Sequence, residues 1–184
     1  MSNWVATEIV VTPNIKKRAA VIKHFILIAN ACLQLRNYNT LLEITAGLNL
    51  SVISRLRKTW RIVPSKIVAI LKELEDLMDC KSNYFRYRAA LKESNAATLP
   101  YFGVFLRDFT LADVGNDDYE HSDFVNFDKM FIFRNLINSF KKFQSSPYQI
   151  TVSHPLQNYL QNLSSFEEGI LHKYSIQCER ASDI

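Results

Sequence analysis

The segment LPYFGVFLRDFTLADVGNDD, residues 99–118, decides how this chain is read. Pro100 precedes an aromatic pair, Tyr101 and Phe102. An apolar run follows, and Gly115 and Asn116 end it. A greasy segment closed by a polar, Gly-broken tip is costly to leave in water, so its use has to be sought in the rest of the chain.

Outward from this segment the pattern is helical. After Pro13, apolar residues recur at Ile15, Ala19, Ile22, Phe25, Ile26, Ala29 and Leu33, in steps of three and four that share one helical face. Leu41, Ile44 and Leu48 repeat that spacing, and Gly47 with Asn49 is expected to break the chain before a short further helix. Pro64 and Ser65 open another amphipathic stretch. It carries Ile67, Leu71, Leu74 and Met78 on one face and Lys72, Glu73, Glu75 and Asp76 on the wet side. Ser82 is expected to cap NYFRYRAALKES, Asn126 to cap FDKMFIFRNLINSFKKF, and Ser165 with Glu168 to form a capping box. Pro155 falls in the first turn of SHPLQNYLQNL. Only EIVV (8–11) and QITVS (149–153) hint at strands, and both are short. The expectation is an all-α single domain of roughly eight to ten helices, with no repeat or linker.

Composition removes several function classes. With 48% hydrophobic and 12% aromatic residues and only four Gly, the 184-residue chain can build a core. The net charge of +4 is scattered. The one basic cluster, Arg55, Arg57, Lys58 and Arg61, lacks aromatic interleaving and reads as a solvated helix end or docking face, so no nucleic-acid partner is expected. Cys32, Cys80 and Cys178 are too far apart for a zinc motif and odd in number, which fits a reducing compartment. The most apolar run, FILIANACLQL (25–35), is broken by Asn30 and Gln34. No signal peptide or membrane span is expected, and a cytoplasmic location is.

Motifs for covalent chemistry are missing. His24, His121, His154 and His172 lie in four separate segments without metal-ligand spacing, so no metal and no cofactor are expected. There is no nucleophile elbow and no phosphate-cradling Gly loop. Glu73, Glu75 and Asp76 read as solvated charge, not as an acid–base pair.

What the residues do resemble is specific. In order, NWVATEIV (3–10), RAAVIKHFILIANACLQLRNYNTLLEITAGLNLSVISRLRKTW (18–60), PSK (64–66), YRAAL (87–91), LPYFGVFLRDFTLADVGND (99–117), VNFDK (125–129) and PYQI (147–150) are similar to the catalytic domain of guanine nucleotide exchange factors for Ras-family small GTPases. The likeness runs almost end to end. Its sharpest parts are N-x-N-x-L-L-E-I-x-x-G-L-N with R-L following, and P-Y-F-G-V-F-L-R-D with G-N-D following. It implies a bowl-like helical bundle with a protruding helical hairpin at about residues 103–140. The implied activity is release of GDP from a GTPase of Ras, Rap or Ral type, with the chain recruited to the cytoplasmic face of membranes through that partner and without membrane insertion of its own. The greasy segment then becomes a wedge that opens the switch over the nucleotide. No covalent step by the factor is implied, so it is not an enzyme in that sense.

The resemblance also implies a site. Leu42, Asn49, Tyr84 and Tyr101 are expected to form the pocket that receives the second switch of the GTPase, and Thr110 and Val114 to face its nucleotide site from the hairpin. From the residues alone, Leu42 and Tyr101 read equally well as core, Asn49 as a helix-terminus cap, and Thr110 and Val114 as ordinary helix surface. Three departures stand out. Val114 occupies a position usually acidic in that family, leaving bulk or the neighbouring Asp113 to act instead. The chain starts part-way into the family pattern, so residues 1–184 are expected to be an N-terminally incomplete domain. KMFIF (129–133) is more apolar than the basic run usual there. A degenerate, GTPase-binding scaffold without exchange activity is the alternative.

Overall fold

The computed structural model describes residues 1–94, 96–120 and 124–180. Among them, eleven α-helices follow in chain order: α1 Ser2–Val10, α2 Ile15–Gln34, α3 Tyr38–Asn49, α4 Ser51–Ser54, α5 Arg57–Ile62, α6 Ser65–Leu77, α7 Phe85–Glu93, α8 Phe102–Val114, α9 Phe127–Lys141, α10 His154–Gln161 and α11 Glu168–Cys178. The fold is all-α, slightly richer in short helices than the segment lengths suggest. The one sheet among the described residues is a two-stranded antiparallel ladder, β1 Tyr119–Glu120 against β2 Phe124–Val125. Neither strand was expected from alternation. Glu8, Ile9 and Val10 of EIVV belong to α1, with Val11 as its C-cap, and QITVS forms no strand.

The apolar spacing predicts the core. Ala19, Ile22, Phe25, Ile26 and Ala29 of α2 are buried against Leu41, Ile44 and Leu48 of α3, with α1 and α6 closing the sides. Asn14 starts α2 by accepting from the amides of Lys16 and Lys17. Gly47 does not break α3, which runs on to Asn49. A Cβ there would lie 2.7 Å from the Ser2 carbonyl oxygen and 2.9 Å from Val5 Cβ, so the missing side chain is what lets α1 and α3 approach so closely.

Two expected caps are replaced. Tyr84, not Ser82, precedes α7, and α11 begins after Glu167 with no side-chain cap, so Ser165 and Glu168 form no capping box. Asn126 caps α9 as expected, accepting from the Lys129 amide at 3.0 Å.

Arg18 lies in register with the apolar stripe of α2 and is fully buried. Its guanidinium donates to Thr59 Oγ1 at 3.0 Å and to the carbonyls of Thr12 and Pro13, and it stands 3.8 Å from the Glu179 carboxylate. Glu179 in turn accepts from the Lys58 and Thr59 amides at 3.0 and 2.8 Å, capping α5 from a residue 120 positions away. Arg55 donates to the carbonyl and hydroxyl of Ser175. The basic cluster therefore includes a docking face for α11.

α8 and α9 are antiparallel. Phe102 and Phe105 pack on Phe140, Phe109 stacks on Phe133 at 5.8 Å, and Lys129 Nζ meets the Asp113 and Asp118 carboxylates at 2.8 and 2.6 Å. Along α9 the least exposed residues, Lys129, Phe133, Leu136 and Phe140, form a single stripe turned to α8.

Candidate functional site

The segment before α8 is tied to the α2–α3 junction by backbone. Tyr38 N–H donates to the Leu99 carbonyl at 2.9 Å, and Leu99 N–H donates to Arg36 at 3.0 Å, where Arg36 turns with a φ of 56°. Tyr148, from the PYQI motif, donates its hydroxyl to the Leu35 carbonyl at 2.7 Å and accepts from the Leu99 amide at 3.0 Å. These bonds place Tyr101 at the head of α8.

A cluster of four tyrosines follows. Tyr38 opens α3, and its ring lies 5.2 Å from that of Tyr87 on α7. Tyr87 is 6.3 Å from Tyr84, and Tyr84 is 6.2 Å from Tyr101. Tyr87 is fully buried, and its hydroxyl accepts the Tyr101 amide at 2.7 Å. Burial pushes that phenol far up, so it stays protonated. Burial also raises the phenol of Tyr84, helped by Tyr101 and Cys80 and opposed by the Arg107 cation, which lies 5.5 Å over the Tyr84 ring. Tyr84 and Tyr101 are half-buried, each with one side open to solvent.

Gly103 makes this arrangement possible. A Cβ at that position would overlap the Tyr101 ring, with Cζ at 2.5 Å, so the ring can fold over the first turn of α8 only because residue 103 has no side chain. This is a physical reason for the P-aromatic-x-G motif.

Of the residues singled out by sequence, Tyr84 and Tyr101 come together directly. Leu42 and Asn49 stand two turns apart on one face of α3, linked to the tyrosines through Tyr38. Leu42 is half-buried against the core. Asn49 is exposed and caps nothing, its amide donating to Glu75 Oε1 of α6 at 2.7 Å. Thr110 and Val114 sit one turn apart on the exposed stripe of α8 that also bears Leu106. The Thr110 hydroxyl donates back to the Leu106 carbonyl at 3.0 Å, so the outer surface of this stripe is largely apolar. Val114 is 82% exposed. Asp113, beside Val114, is 66% exposed at its side chain and pairs with Lys129 of α9 at 2.8 Å.

Sequence reading missed Tyr87, Gly103, Arg88 and Asp108. Arg88 and Asp108 form a bidentate pair at 2.7 and 2.8 Å between α7 and α8. The motif YRAAL contained the arginine, but a partner twenty residues away leaves no mark in local spacing.

Other chemistry finds little support among the described residues. His24, His154 and His172 lie on α2, α10 and α11, and His121 lies outside the described residues. No group of three acidic, His or Cys side chains is placed to hold a metal there, and no helix is long and apolar enough to cross a membrane. An open groove of about 610 Å³ between α1, α2 and α10, lined by Trp4, Phe25, Ile28, Leu156 and Tyr159, is mostly apolar and lies apart from the tyrosines.

Comparison with known proteins bears on this geometry. Residues 1–131 match the family described as the RasGEF domain. Among curated relatives, Ras guanine nucleotide exchange factor M of Dictyostelium discoideum is 37% identical over 163 residues, 88% of this chain and 18% of that protein. Factor Y of the same organism is 37% identical over 94% of the chain and 11% of its own length. The human Ras-specific guanine nucleotide-releasing factor 1 is 32% identical over 97% of the chain and 14% of its length. The chain thus spans less than a fifth of each of these three proteins.

Proposed function

The chain belongs to the RasGEF domain family, and from that premise we propose that it promotes GDP release from a Ras-family GTPase, with α8 and α9 as the hairpin that opens the switch regions. The observation that carries this is local: one segment supplies both halves of the site. Tyr101 ends the pocket, and thirteen residues of α8 then carry Leu106, Thr110 and Val114 outward as an apolar stripe.

In this mechanism the half-open rings of Tyr84 and Tyr101, with Leu42, bury an aromatic anchor from one switch, while Asn49 and Glu75 offer polar contacts beside it. The stripe through Thr110 and Val114 occupies space that the other switch needs to cover the nucleotide. The factor forms no bond to the nucleotide. It binds the nucleotide-free GTPase better than the loaded one, and linkage makes factor and nucleotide weaken each other. Release faster by about a thousand-fold corresponds to roughly 4 kcal/mol of barrier lowering. That is within reach of an interface of standard size.

A second reading has one observation behind it. With Val114 in place of an acid and Asp113 paired with Lys129, the stripe of Leu106, Thr110 and Val114 carries no carboxylate of its own to compete with phosphate, which suits a scaffold that docks a GTPase and leaves its nucleotide in place. Release of fluorescent GDP from Ras, Rap and Ral-type GTPases separates the two. Acceleration that saturates with chain concentration supports exchange. GTPase binding with the nucleotide retained supports the scaffold, and absence of binding refutes both.

A further inference from the structure

The turn that carries Tyr84 is an unusual piece of backbone. Ser82, Asn83 and Tyr84 have φ of 51°, 58° and 56°, three consecutive left-handed residues, none of them glycine. Each costs on the order of 1–2 kcal/mol relative to ordinary backbone, so such a turn persists only where its surroundings fix it. Two guanidiniums surround it here, Arg88 from α7 and Arg107 from α8. Arg88 Nε donates to the Asn83 carbonyl at 2.9 Å and Nη2 to Asn83 Oδ1 at 3.0 Å, while Nη1 and Nη2 reach the two Asp108 oxygens at 2.7 and 2.8 Å. Arg107 on α8 donates to the same Asn83 oxygen and lies over the Tyr84 ring. The Arg88 and Asp108 side chains are only 30% and 16% exposed, so the pair is shielded well beyond an ordinary surface ion pair.

We propose that Arg88 is a positioning residue: with Asp108 and Asn83 it clasps the left-handed turn bearing Tyr84 to the flank of α8, so that the tyrosine pocket and the Thr110 and Val114 face meet the GTPase as one rigid unit. This rests on the exchange reading above. Asp108 lies two residues before Thr110 and six before Val114, so the fork that fixes the turn also fixes the helix that must push. Lysine cannot replace it. An ammonium is a point charge, whereas this site uses three nitrogens of a planar fork in four directed bonds. Geometry of this kind affects the step that needs both surfaces at once more than the initial docking, which each surface supports separately.

The test compares the wild-type chain with Arg88→Met, which keeps the apolar stem, Arg88→Lys, and Asp108→Asn, which keeps the shape of the α8 partner. GDP release is measured over a range of chain concentrations, with circular dichroism to verify folding. The clasp predicts a maximal release rate lower by about ten-fold or more in Arg88→Met and Asp108→Asn. The half-saturating concentration should shift by less than about three-fold, helical content should stay unchanged, and Arg88→Lys should recover only part of the rate. Wild-type rates in both variants, or a rise in half-saturating concentration at full maximal rate, would overturn it. Hydrogen exchange of the free chain gives an independent reading: in Arg88→Met the amides of residues 82–88 and 104–110 should lose protection together, and loss in one segment alone overturns the clasp. If the wild type releases no nucleotide from any GTPase, the exchange reading fails, and hydrogen exchange still decides the clasp.

Discussion

Gly103→Ala separates the fold of this chain from its work more cleanly than truncation of any pocket residue. The added methyl would sit 2.5 Å from Tyr101 Cζ, and ordinary contact begins near 3.4 Å, so the ring must retreat by about 0.9 Å. The obstacle is the end of a side chain, not backbone, so the ring yields and α8 stays. Driving a side chain about 30° from its rotamer costs about 0.5–1.5 kcal/mol, while alanine replacing glycine in a helix returns about 0.5–1 kcal/mol. Net stability should therefore change by less than about 1 kcal/mol. Binding should not be so forgiving. Tyr101 and Tyr84 stand 6.2 Å apart, and if they wall the pocket as proposed, displacing one of them removes a buried aromatic contact with the GTPase. Interface anchors of this kind are worth about 2 kcal/mol or more, a weakening of roughly thirty-fold in Kd for nucleotide-free GTPase. Urea denaturation and calorimetric titration on the same protein read the two numbers. An unchanged Kd would show that the Tyr101 ring is not a wall of the binding pocket. A stability loss above about 2 kcal/mol would show that the methyl strains the backbone instead of moving the ring.

Three further expectations follow from the same contacts. Tyr87→Phe deletes the hydroxyl that accepts the Tyr101 amide at 2.7 Å, leaving a half-buried N–H unpaired; stability should fall by about 1–3 kcal/mol in urea denaturation, and no loss would mean that water replaces the hydroxyl. Glu179→Ala uncaps α5 and strands the buried Arg18 charge; a cost of about 3–5 kcal/mol should lower the thermal midpoint by about ten degrees in calorimetry, and a shift under about three degrees would count against a buried charge network. Cys80 is exposed, whereas burial raises the thiols of Cys32 and Cys178; at pH 8 iodoacetamide should alkylate Cys80 first, as read by peptide mass mapping, and faster labelling of either of the others would contradict their packing.

Apolar spacing carried the fold because a helix buries one stripe, and Ala19 to Ala29 or Leu71 to Met78 repeat it without interruption. Gly47 was misleading. Glycine inside a helix reads as a break, and only the packed structure reveals that it accommodates the Ser2 carbonyl of α1. Arg18 did leave a signal, a charge in register with buried residues, but the carboxylate that makes its burial tolerable lies at position 179. The candidate site divides along the same line. Tyr84, Tyr101, Thr110 and Val114 could be named because they lie in or beside motifs. What holds them is less legible: the Tyr87 hydroxyl and the Arg88–Asp108 fork act across fourteen and twenty residues, the space at Gly103 matters only once the Tyr101 ring folds back over it, and the left-handed turn has no glycine to announce it. The residues proposed to touch a partner are thus written in short patterns, whereas those proposed to aim them are written in the fold. Substitutions at the second kind should alter rate at nearly constant affinity, and that distinction is what the Arg88 and Asp108 variants measure.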